Sequence, residues 1–160
     1  MLYIRGKNNK MQSNQISKRL SSLKCFVGTF PRDLLPEKVN FRPAALVLNT
    51  DTSDKPGTHW VAIFLTTNGD GEYFDSFGFP PLTSDIERFM ENNCINGWTT
   101  NNITFQTPAL SSTCGHYCIL YLTHRCRGMS FQQFIAKFSR NTFLNDVLAT
   151  QYMRSKRHAP

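Results

Sequence analysis

Ser111-Ser112-Thr113-Cys114-Gly115-His116-Tyr117-Cys118, continued by Ile119-Leu120-Tyr121-Leu122, is the stretch around which the rest of the chain is organised. Small hydroxyl residues stand directly before a cysteine, and a mostly apolar helical pattern follows. A side-chain oxygen of Ser112 or Thr113 is suited to accept the unpaired N–H groups of a first helical turn, which puts Cys114 at or near a helix N-terminus. Unpaired N–H groups and the helix dipole favour negative charge there. A thiol so placed is drawn toward the thiolate, its nucleophilic form. Gly115 has no side chain, so a bulky group such as a peptide backbone can approach the sulfur. A lone intracellular cysteine is more often an inert core residue, so Cys114 must be set apart by partners elsewhere in the chain.

The 160 residues suffice for one domain with a real core, and thirteen phenylalanines supply its interior. The longest apolar runs, such as Trp60 to Leu65, are strand-sized and fall far short of a membrane span. The first dozen residues hold no continuous apolar run, so no secretory signal is expected. Five cysteines at scattered spacing do not suggest a disulfide scaffold, which favours a reducing, intracellular setting.

The net charge of +7 is uneven. Arg5, Lys7, Lys10, Lys18, Arg19 and Lys24 open the chain without an acid, and Arg154, Lys156 and Arg157 close it in the same way. The expected organisation is a basic arm with a short helix over residues 1–24, one domain over 25–153 and a basic tail over 154–160. Such ends attract nucleic acid non-specifically, or serve only as solvated tails.

Ile16, Leu20 and Leu23 recur at helical spacing within Gln12 to Lys24. Cys25 to Pro31 reads as extended, with Gly28 and Pro31 as breaks, and one helical turn follows from Pro31 to Leu35. Ala44–Asn49 is a buried strand by its unbroken apolar run. His59–Thr66 and Glu72–Phe77 are two more, joined by the turn residues Asn68-Gly69-Asp70-Gly71 into a hairpin. Thr83 or Ser84 can cap a helix to about Asn92 with Ile86, Phe89 and Met90 inward. Ile103–Phe105 reads as a short strand.

The Cys114 helix should run to about Arg127 and stop at Gly128. Ser130 and Gln133 form a capping-box pattern for a further helix, and Asn141 to Met153 is the last. The fold class is α+β: a small mixed or antiparallel sheet packed on a central helix that carries the cysteine at its N-terminus, with further helices around it.

A cysteine nucleophile needs a base, a group to orient the base, and donors for the oxyanion. Of the four histidines, His158 lies in the basic tail, His116 points to another helix face than Cys114, and His124 is more than two turns away. His59 opens a strand, where a side chain at the sheet's rim can face a helix start. Asp75, a carboxylate among aromatics in Tyr73-Phe74-Asp75-Ser76-Phe77, needs a partner. Pairing Leu65 with Glu72 sets Asp75 opposite Ala62, roughly 10 Å from His59, so contact requires a bulge or an inward lean of the histidine. The Cys114 backbone N–H is one oxyanion donor. Gln106 is either a second donor or an exposed polar residue. A zinc site from Cys114, Cys118, His124 and Cys126 fits no compact zinc module, and no metal or other cofactor is required.

Taken together, Phe26-Val27-Gly28-Thr29-Phe30, Ala45 to Thr50, Gly57-Thr58-His59-Trp60, Tyr73 to Phe79 and Cys114-Gly115-His116-Tyr117-Cys118 are recognisable. Over about residues 25 to 140 the chain resembles the adenovirus protease (adenain) family and its relatives in Maverick/Polinton transposons and virophages, in the same clan as the SUMO- and ubiquitin-like-protein proteases. The resemblance implies His59 as general base, Asp75 as its orienting acid, Gln106 as oxyanion donor and Cys114 as nucleophile, all catalytic. It further implies that Trp60, with Gly115, borders a narrow cleft favouring glycine beside the scissile bond. Gln106 stands one residue farther from the cysteine than in that family. Cys94 does not align with the family's peptide-linking cysteine, which leaves dependence on an activating peptide open.

The expected function is therefore a thiol endopeptidase, a hydrolase of viral maturation that cleaves capsid-type precursor proteins, in the nucleus or in a virion or virus-like particle. DNA is a conceivable activator, bound through the basic termini, and no membrane partner is expected. Two alternatives stand beside it: a SUMO- or ubiquitin-like isopeptidase, and a non-enzymatic nucleic-acid-binding protein with structural cysteines.

Overall fold

In the computed structural model, described for residues 10–108 and 112–155, one mixed sheet lies between two layers of helix. The strands are β1 (Phe26–Pro31), β2 (Ala44–Asn49), β3 (Trp60–Leu65), β4 (Gly71–Phe74) and β5 (Trp98–Thr100), in that spatial order. The outer pairs β1–β2 and β4–β5 are parallel, and the central pairs β2–β3 and β3–β4 antiparallel. The helices are α1 (Ser13–Leu20), α2 (Ser84–Asn93), α3 (Cys114–Cys126), α4 (Phe131–Ile135) and α5 (Thr142–Ser155).

The unbroken apolar runs of β2 and β3 follow from burial on both faces. Side chains alternate across a strand. Ala45, Val47, Ala62, Phe64 and Phe74 enter a core with α1, α3, α4 and α5, whereas Leu46, Leu48, Val61, Ile63 and Tyr73 enter a second core under α2. Ile86, Phe89 and Met90 are the buried face of α2, as their spacing predicts. The Ser130–Gln133 capping box is present, and α3 stops at Arg127 with Gly128 in the left-handed region at φ +93°.

Several expectations are corrected. α1 does not belong to a separate arm: Ile16 and Leu20 are fully buried in the core beneath α3, so the domain begins before residue 25. β4 ends at Phe74 rather than Phe77, because the chain turns there and Gly78 N–H donates to the Asp75 carbonyl. The fifth strand is Trp98–Thr100 rather than Ile103–Phe105. Asn102 adopts a positive φ of 49°, which ends pairing, and the Phe105 and Gln106 N–H groups both donate to the Ser76 carbonyl instead.

Thr113 does not cap α3 through its side chain; its hydroxyl donates to Asp146 of α5. Cys25 and Cys126 form a disulfide across 101 residues of sequence, which short-range spacing could not reveal. That pairing also removes Cys126 from any zinc set. The loop residues Ala109, Leu110 and Ser111, and the charged residues Arg5, Lys7, Lys156 and Arg157 with His158, lie outside the described residues.

Candidate active site

The hairpin register decides whether His59 and Asp75 meet. Leu65 pairs with Gly71 and Ala62 with Phe74, one residue away from the register expected from the turn. Asp75 thereby moves one residue closer to His59, and the turn after Phe74 carries its carboxylate to the mouth of the hairpin. His59 Nε2 and Asp75 Oδ1 are 2.8 Å apart.

Asp75 is itself held on every side. Its Oδ1 accepts the Phe77 N–H at 2.8 Å. Its backbone N–H donates to Asn101 Oδ1 at 3.0 Å, and Asn101 Nδ2 returns a bond to its carbonyl at 2.7 Å. The His59 ring stacks on Phe77, centroids 4.9 Å apart. Buried groups with this many partners sit in one place, which is what orientation of a base requires.

Cys114 is the first residue of α3, and its backbone N–H is among those a helix leaves without an internal partner. His59 is the neighbour that acts most strongly to lower the sulfur's pKa, and Nδ1 is the ring nitrogen that Asp75 does not engage. Burial pushes the Cys114 thiol up, but the His59 bond and charge, the Trp60 backbone and the nearby Lys10 charge bring it below the ordinary value. Burial works against a charged His59, yet the bond to Asp75, the bond to Cys114 and both negative charges raise it to about 9. Both shifts favour a thiolate beside an imidazolium.

The other free thiols move the opposite way. Burial raises Cys94 to about 11, and full burial with neighbouring negative charge holds Cys118 well above its ordinary value. Electrostatics therefore separates Cys114 from the core cysteines, which composition could not do.

Gln106 is buried, and its Oε1 accepts the Ser76 hydroxyl at 2.6 Å. Its amide is thus fixed beside the residue that follows Asp75, with Nε2 as its donor end. Gly115 is a glycine for a different reason than expected: a Cβ there would lie 3.1 Å from the Met11 Cβ and 3.4 Å from Ile16 Cδ1. The space over it belongs to the segment leading into α1. Trp60 is buried as well, and its Nε1 donates to the Met11 carbonyl at 2.9 Å. Lys10 Nζ, one residue earlier, donates to the Gly57 carbonyl at 2.7 Å. The N-terminal segment is therefore clamped to both ends of the Gly57–Trp60 stretch.

His116 and His124 stand away from the pair; His124 Nδ1 lies 2.7 Å from the Leu120 carbonyl. Sequence reasoning missed Asn101, Ser76 and Lys10. An asparagine in the polar run Thr99-Thr100-Asn101-Asn102 carries no sign of its long-range partner. Among the described residues, no group of histidine, cysteine or carboxylate side chains is arranged to hold a metal ion, and no helix is long and apolar enough to cross a membrane.

The chain has counterparts among known proteins, several of them cysteine proteases. A cysteine protease of African swine fever virus is 35% identical over 102 residues, which cover 56% of this chain and 36% of that protein. A protein of Acanthamoeba polyphaga mimivirus named as a thiol protease is 29% identical over 114 residues, covering 64% of this chain and 36% of its own length. The chain thus spans about a third of the length of the curated relatives it matches. No family model matches it. Among solved structures, the central domain of an uncharacterized Legionella pneumophila protein shares the fold at 15% identity, with a TM-score of 0.51 over 92% of this chain and 97% of that domain.

Proposed function

We propose that the chain is a cysteine endopeptidase with Cys114 as nucleophile, His59 as general acid and base, and Asp75 as the orienting carboxylate. The observation that supports this most is the His59 Nε2–Asp75 Oδ1 pair at 2.8 Å, set beside the sulfur that heads α3, whose pKa His59 lowers.

The Cys114 thiolate attacks a backbone carbonyl carbon, and the displaced electron pair goes to the carbonyl oxygen. The Cys114 N–H and the Gln106 amide donate to that oxyanion. The His59 imidazolium gives its proton to the leaving amine as the C–N bond breaks, and a thioester remains. Neutral His59 then takes a proton from water, the hydroxide adds to the thioester, and the acid leaves as the thiolate returns.

In this reading the substrates are precursor structural proteins of a virus or virus-like element, cut next to glycine in the manner of the adenain and Maverick/Polinton type, in a nucleus or a particle. The viral origin of both named relatives supports it. A second reading, removal of a SUMO-like modifier, draws on relatives from other African swine fever virus isolates that are named SUMO-1 cysteine protease. DNA enters as an activator through the basic termini, supported by their charge alone.

A glycine-ended peptide vinyl sulfone should label the chain once, at Cys114, and leave Cys114→Ala unlabelled. Absence of labelling sinks the peptidase reading. New termini inside capsid-type precursors, with a SUMO fusion left whole, favour the first substrate class over the second. Activation by DNA that vanishes at high salt would support the activator role.

A further inference from the structure

α3 is flanked by α1 on one side and α5 on the other, and none of the described residues fills the space between those two helices. Two cavities of about 590 and 570 Å³ share Met11, Gln15, Arg19 and Met153, so they lie side by side along one groove. Its floor is a single stripe of α3, His116, Ile119 and Thr123, continued by the capping residue Arg127, at intervals of three, four and four residues. One end reaches Ser112 and Thr113, directly before Cys114. The other end lies at Arg127, beyond the last turn of the helix.

The charge of this groove has one sign. Lys18, Arg19, Arg127 and Arg154 line it, and no acidic side chain does among the described residues. None of the four cations forms an ion pair or a side-chain hydrogen bond with a described residue. Between them lie apolar groups, Leu23, Ile119 and Met153. We propose that this groove holds an extended acidic segment of the protein substrate, carboxylates on the cationic rim and alternate apolar side chains on the floor. The proposal rests on the peptidase reading, since it takes the bound segment to be continuous with the chain that reaches Cys114.

The dimensions fit. Thirteen helical residues span about 20 Å, the length of roughly six residues of extended peptide. Nucleic acid fits less well. A double helix is too wide to enter between two helices packed on a third, and among the described residues Tyr152 and His116 are the aromatic rings in the lining, too few to stack successive bases.

The test uses the full chain carrying Cys114→Ala, so that binding is read without turnover. A fluorescein-labelled peptide of alternating glutamate and leucine, about eight residues long, is titrated by anisotropy beside its glutamine–leucine counterpart. The glutamate peptide should bind about tenfold more tightly or better, with an advantage that shrinks at high salt. Arg19→Gln with Arg127→Gln should remove about tenfold of that affinity, and lysine at both positions should restore most of it. With the nucleophile intact, the double variant should raise KM about tenfold for a substrate bearing the acidic stretch and leave kcat unchanged. Equal binding of the two peptides, or indifference to the double variant, overturns the proposal. So does a single-stranded oligonucleotide of equal charge that binds more tightly and loses its affinity in the same variant. Failure of the wild-type chain to cleave any substrate would remove the peptidase reading while the binding measurement stands on its own.

Discussion

At Cys114, burial opposes the thiolate while the His59 bond, the His59 charge and a backbone donor favour it, and the balance falls below the ordinary thiol value. The sign of the pH dependence follows. Below a pH of about 9 His59 keeps its proton, and above the lowered value of Cys114 the sulfur has lost its own. Alkylation by iodoacetamide should therefore persist well to the acid side of a free cysteine. Peptide hydrolysis should fall above a pH of about 9, as the imidazolium loses the proton owed to the leaving amine. Replacing Asp75 by asparagine removes a negative charge and the carboxylate acceptor that orients Nε2–H. A rate loss on the order of 10³–10⁴ is expected, with the thiolate plateau narrowed from the alkaline side and the fold intact. Full activity in Asp75→Asn would mean that the acid is some other residue.

Among the elements, α1 makes the sharpest test of how the domain is bounded. If the first 24 residues were an independent arm, Ile16→Ala would cost little. Ile16 is fully buried against the central helix, so a loss of about 2–4 kcal/mol is expected by chemical denaturation. The far end of α3 is anchored by a different chemistry. Glu72 of β4 accepts from Arg125 Nε and Nη2, both at 2.7 Å, and from the Tyr121 hydroxyl at 2.6 Å, and the guanidinium lies over Phe64. Arg125→Met should destabilise the fold by about 3 kcal/mol, because it strands a buried carboxylate with one neutral donor. Apolar periodicity cannot reveal that pair, since Glu72 and Arg125 are 53 residues apart.

Across the whole molecule, what was legible in the sequence were features whose signal is local. The runs of β2 and β3, the inward face of α2, the Ser130 box and the start of α3 each rest on residues within a turn or two of one another. The contact of His59 with Asp75 was expected mainly from order and motif, because spacing alone put the acid one residue out of register. The rest depended on long-range partners. Asn101 bracing the backbone of Asp75, the Met11 segment lying over Gly115, and Asp146 drawing off the Thr113 hydroxyl have no counterpart in the residues next to them.

Cys25 is linked to the last residue of the helix that Cys114 begins. Closing a loop of that size stabilises a fold by as much as about 5 kcal/mol in chain-entropy terms. Laboratory handling thus meets a conflict. Dithiothreitol, the usual guard against sulfenic acid at a reactive thiolate, also cleaves the bridge at the helix's opposite end. A melting curve should drop by several degrees in reductant, while labelling at low temperature continues. Activity assays run warm with reductant would then report unfolding as though it were inhibition.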